Sequence, residues 1–148
     1  MTKTIAALLV TSLFLSTAVL AADDVIEQRQ DLMEHTGDAA KVVGDMLKEK
    51  EPFDAAAAMA ALEVWKNTAT EVGDLFPVGS ETGHDTEAKS TIWSDREGFD
   101  QRIDDFSNAV DEAIAANPTS LAALGEAANP VFKTCKGCHE NYRVEKDD

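Results

Sequence analysis

Basic residues are scarce in this chain, and that scarcity narrows its partners. Its 148 residues hold 13 Lys and Arg against 28 Asp and Glu, a formal charge of −15. So acidic a surface repels nucleic acid and anionic membranes, and a protein partner would have to meet it with a basic patch. Strand signals are also missing. No alternating runs of β-branched residues occur, and Ala, Glu, Lys, Leu and Asp dominate, which excludes a sheet-based fold. No internal repeat is present. After the first 21 residues no apolar run is long enough to span a bilayer. Cysteine occurs only at 135 and 138, so there is no disulfide framework to staple a small domain.

The apolar run that does exist is at the start. Lys3 supplies a positive charge, Ile5 to Leu20 is mostly apolar, and Val19-Leu20-Ala21 ends it with small or tolerated residues. This is the pattern of a secretory signal peptide over residues 1–21, cleaved after Ala21. Residues 22–148 then form one domain without a membrane span, and the Ala-Ala-Asp-Asp junction suits a bacterial periplasm.

Apolar periodicity places four helices in that domain. The first runs from about Asp24 to Lys48, with Pro52 just beyond it. The second runs from about Asp54, a fitting N-cap, to Leu75, and Phe76-Pro77 stops it. The third starts at Ser94, where Ser94 and Glu97 have capping-box spacing, and ends at Asn117-Pro118. The fourth starts near Thr119 or Ser120 and continues to the C-terminus. Pro130 lies inside it, so a kink or break is expected near Ala127. The connection from Pro77 to Trp93 is long. It is expected to cross the end of the bundle with Ile92 and Trp93 packed inward. Short, long and short connections between four amphipathic helices give an all-α, antiparallel four-helix bundle.

The chemistry is concentrated in Cys135-Lys136-Gly137-Cys138-His139. Cys-x-x-Cys-His is the attachment pattern for a c-type haem. Two thiols three residues apart on a helix meet one edge of a porphyrin. His139, four residues after Cys135, projects from the same face as a proximal iron ligand. The alternatives fit less well. A redox dithiol belongs early in a βαβ unit, a structural zinc needs about four ligands, and a plain disulfide gives His139 no role. One covalent haem c is therefore expected. Met33 is four residues after Arg29 and three after Gln30, so the three share one helix face. His35, roughly 200° around the helix from Met33, should face away. His84, in a Gly-flanked loop, should be solvated, and Trp65 and Trp93 are read as core packing.

With these motifs in order, the sequence resembles the class II c-type cytochromes, the cytochrome c′ family, across residues 22–148. The marks are Arg29-Gln30, Leu75-Phe76-Pro77, Ile92-Trp93-Ser94-Asp95, Gly98-Phe99, and Cys135 to His139 followed by Tyr142-Arg143. The resemblance implies that Arg29 and Gln30 meet the haem propionates, that Thr86 and Glu87 approach the haem edge, and that Arg143 lines the proximal pocket. It places Met33 over the distal side of the iron. There it either covers a five-coordinate iron or ligates as a sixth ligand, as in low-spin relatives, which Pro130 also resembles. Ligation implies a periplasmic protein carrying single electrons between redox partners. A vacant distal site implies binding of nitric oxide or carbon monoxide. Neither is an enzyme. A haem-free bundle with a redox dithiol is the reading of another class. Relatives often form homodimers through their first two helices; Ala58 and Ala61 suit either such an interface or the internal core.

Overall fold

In the computed structural model the backbone is described for residues 15–145 and the side chains for residues 24–145. Most of the expected signal peptide, residues 1–21, lies outside the described residues. The chain forms α1 (Leu15–Leu47), α2 (Ala55–Glu71) with a 3-10 turn at Val72–Leu75, a single turn α3 (Thr91–Ser94), α4 (Arg96–Ala116) and α5 (Leu121–Tyr142). Among the described residues the only β pairing is an isolated bridge between Ala88 and Arg143, and no helix is long and apolar enough to cross a membrane.

Local chemistry sets the boundaries. Asp54 caps α2 by accepting from the Ala56 and Ala57 amides at 2.8 and 3.0 Å. Ser120 caps α5 through the Ala123 amide. Asn117 ends α4 in the left-handed region at φ 42°, a conformation Asn tolerates better than most residues. Two expectations are corrected. The cap of α4 is Asp95, which accepts from Gly98 N at 3.3 Å; Ser94 instead closes α3, so the Ser94–Glu97 box does not form. Pro130 does not break α5, which runs continuously through it. Pro130 is exposed, so the carbonyl that loses its partner can turn to water. The α-helical part of the second segment also ends earlier than expected, at Glu71, before the 3-10 turn completes it.

The helices pack in the ring order α1, α2, α4, α5. Arg29, in the first half of α1, reaches Leu75 O at the end of α2. Arg96 at the start of α4 reaches Gly73 O and Phe76 O. Tyr142 at the end of α5 bonds Asp95 at the start of α4. Neighbours around the ring are thus antiparallel. The main core joins Val43 and Met46 of α1, Leu62 and Trp65 of α2, Val110 of α4 and Leu124 and Val131 of α5. Ala58 and Ala61 are buried within it, so in this chain they serve the internal packing. A second cluster, Ile92, Phe99 and Tyr142 with Phe76 and Trp93 against it, sits at the end of the bundle where α5 finishes.

Candidate haem site

Between the main core and the end cluster lies a cavity of about 640 Å³, within the ~300–1,000 Å³ typical of ligand sites. Trp65, Phe106 and Phe132 bound it on the side of the main core, and Ile92, Phe99 and Tyr142 on the other. Every expected site residue lines it: Arg29, Gln30 and Met33 from α1, Thr86 and Glu87 from the loop, Cys135, Cys138 and His139 from α5, and Arg143 just after it. His35 is exposed and is not part of the lining; His84 is exposed as well. Trp65 has a part beyond packing. It lines the cavity, its ring meets Phe132 edge-on at 5.4 Å, and its Nε1 donates to Thr36 O at 3.2 Å.

Both thiols are free and half-buried. Burial pushes Cys135 up to about 11 and moves Cys138 the same way. A redox-active dithiol needs a depressed thiol pKa, so this environment opposes that reading. For His139, burial first and then the Arg143 charge lower the pKa. Both effects favour the neutral imidazole, the form that ligates metal.

The loop between α2 and α3 closes the cavity and is tied down at both ends. On one side Lys89 N donates to Tyr142 O at 2.9 Å and Val144 N to Glu87 O at 2.7 Å. Arg143 Nε lies 3.9 Å from Glu87 Oε2. On the other side Arg29, only 4% exposed, donates from Nη1 to Ser80 Oγ at 3.0 Å and Leu75 O at 3.4 Å. Its Nη2 donates to Ser80 O at 2.8 Å and Thr86 Oγ1 at 2.7 Å. The guanidinium also lies over the rings of Phe76 and Trp93, 4.9 and 5.9 Å from their centroids. Gln30 Nε2 donates to His84 O at 2.8 Å. Arg29 and Gln30 therefore hold the loop as well as line the cavity.

Sequence reasoning missed Ser80, fully buried beneath Arg29; nothing in its neighbourhood marks it. It also missed Arg102, which lines the cavity from α4 and could have been found three residues after Phe99. The hydroxyl pair of Thr36 and Thr68, 2.7 Å apart in the cavity wall, was likewise missed, although Thr36 sits three residues after Met33.

This lining of two thiols, an imidazole, a thioether and a buried arginine is a donor set that fits haem c. Residues 24–143 match the family model described as Cytochrome C′. The chain belongs to the cytochrome c′ family. It is 36% identical to cytochrome c-556 of Rhodopseudomonas palustris, over 86% of this chain and 88% of that one. Cytochrome c′ from the same organism superposes with a TM-score of 0.80 at 32% identity, covering 84% of this chain and 98% of the other. A nitric oxide complex of a cytochrome c prime variant from Alcaligenes xylosoxidans superposes with a TM-score of 0.75 at 29% identity, covering 84% and 97%. The cofactor of this cytochrome c′ family member is covalent haem c, and the protein is an all-α bundle.

Proposed function

We propose that this protein is a periplasmic electron carrier, exported by residues 1–21, whose haem c is joined to Cys135 and Cys138 and held at iron between His139 and Met33. The supporting observation is that one cavity is lined by His139 from α5 and by Met33 from α1. Haem, when bound, supplies one-electron chemistry at iron. The chain's residues set the terms. His139 offers a neutral nitrogen. Met33 offers a thioether, a ligand that raises haem potential. Trp65, Phe106 and Phe132 exclude water. Arg29 supplies a buried positive charge whose hydrogen-bond partners in the fold are neutral oxygens, which suits it to a propionate; Gln30 is placed beside it. Thr86 and Glu87 would lie at the haem edge, and Arg143 on the proximal side, since all three line the same cavity. The acidic exterior fits a redox partner with a basic patch.

The likeness to a nitric oxide complex supports a second reading, in which Met33 covers a five-coordinate iron and the protein binds nitric oxide or carbon monoxide. A pyridine haemochrome spectrum tests the thioether links, and the ferric visible spectrum separates the two readings. Electron carriage requires a low-spin spectrum with the sulfur-to-iron charge-transfer band, lost in Met33→Ala together with a fall in potential. A high-spin ferric spectrum and ready carbon monoxide binding in the unaltered protein would overturn Met33 ligation.

A further inference from the structure

The wall of the cavity on the α1–α2 side is not wholly apolar. Thr36, one turn after Met33, and Thr68 on α2 both line it. Thr68 is 1% exposed and Thr36 half-buried. Their hydroxyls form a short chain. Thr36 Oγ1 is 2.6 Å from Leu32 O and 2.7 Å from Thr68 Oγ1, which is 3.0 Å from Val64 O. A hydroxyl carries one proton, so two protons serve three contacts.

That shortfall has a consequence for anything entering the cavity. When Thr68 donates to Thr36, the Thr36 proton goes to Leu32 O, a carbonyl that the helix's own i+4 amide already reaches. Turning that proton toward a ligand therefore orphans no buried group. The incoming bond from Thr68 stays in place and polarises the Thr36 hydroxyl further. The pair is a donor that can be redirected at small cost, next to the residue read as the distal cover.

We propose that Thr36, backed by Thr68, is the hydrogen-bond donor for a small exogenous ligand on the Met33 side of the cavity. The ligand class is one whose far atom carries negative charge, such as a bound azide or a reduced diatomic, rather than an apolar one. This rests on the haem placement proposed above. A donor of this kind in a distal pocket decides which ligands are held.

The test uses holoprotein with Met33→Ala, alone and combined with Thr36→Val, Thr36→Ser or Thr68→Val. If the unaltered protein already binds carbon monoxide, the same series is made without Met33→Ala, so a failure of Met33 ligation remains distinct from a failure of this proposal. Thr36→Val should weaken ferric azide binding by about 10- to 100-fold, the worth of one hydrogen bond to a charged group, and move the C–O stretch of the ferrous carbon monoxide complex to higher wavenumber. Thr36→Ser should restore both, and Thr68→Val should give a smaller change of the same sign. Azide affinity and stretching frequency unchanged by both valine variants would overturn it, as would a serine variant that behaves like valine.

Discussion

Replacing Gly98 with alanine tests how tightly the end of α5 is held against α4. In an open helix the change stabilises by about 1 kcal/mol. Here a methyl carbon would press closest on Asp95 Oδ2 and lie 2.8 Å from both Tyr142 Oη and Asp95 Oδ1, inside van der Waals contact with all three. Those groups are bonded to each other at 2.9 Å, and Asp95 also caps α4 through Gly98 N. The ring of Tyr142 cannot retreat easily, since it meets Phe99 edge-on at 5.3 Å and is 8% exposed. Losing the cap costs about 0.5–2 kcal/mol and the charge-assisted bond about 1.5–3 kcal/mol. The steric term wins, with a net loss of about 1–4 kcal/mol. At about 4 °C per kcal/mol for a domain of this size, the holoprotein should melt about 4–16 °C lower by far-ultraviolet circular dichroism. The added methyl should cost less in a Tyr142→Phe background, where one of the three obstructing oxygens is gone. A Gly98→Ala protein that melts at or above the unaltered one refutes the reasoning.

Three further outcomes follow from the same geometry. Ser80→Ala removes an oxygen that accepts from Arg29 and donates to Pro77 O at 2.9 Å; it should cost about 1–3 kcal/mol in urea unfolding and speed amide exchange across residues 77–90, and unchanged exchange there would count against the Arg29 tie. Pro130→Ala restores a helix donor at an exposed position and should raise the urea midpoint by the equivalent of about 1–3 kcal/mol; a lower midpoint would mean that Pro130 contributes packing the structure does not show. Protein made without haem attachment keeps a cavity of about 640 Å³ between its two apolar clusters, so it should bind the dye ANS and lose near-ultraviolet circular dichroism while retaining helix, whereas a cooperative, dye-free apoprotein would contradict a haem-filled core.

The helices were legible because their signals are local. Asp54 and Ser120 cap as their residue types indicate, and the periodicity from Ala58 to Val72 marks the buried face of α2. The thiols and His139 were legible because their spacing turns them to one face of α5, and Met33 on α1 was legible through the resemblance to the family. Where two local signals competed, the sequence could not decide. Ser94 and Asp95 are both good caps, and Asp95 takes the role because the turn Thr91–Ser94 uses the residue before it. Pro130 looked like a breaker, but α5 gains enough from Ala128 and Val131 in the core to continue through it. The partners of Arg29 were illegible for a different reason. Ser80 is 51 residues away in sequence, and only the closure of the loop brings it there.

That closure connects the fold to the site. A four-helix bundle can fill its interior with side chains from end to end, but this one holds its aromatic residues in two groups with the cavity between them. The end group would be a loose lid if its cohesion depended on apolar contact alone. It is instead fastened by polar bonds that reach every principal helix: Arg29 of α1 to the loop, Arg96 of α4 to the turn after α2, and Tyr142 of α5 to Asp95. Arg29 is the sole buried charged side chain among the described residues, and burial lowers its pKa against an opposing attraction from Glu81. A guanidinium kept in such a place costs several kcal/mol in lost hydration, which neutral oxygens offset only in part. An anion at the cavity rim, such as the propionate proposed above, would complete the account. The lid, the buried cation and the gap between the cores would then have one common explanation, a flat apolar group with acidic substituents forming the middle layer of the protein.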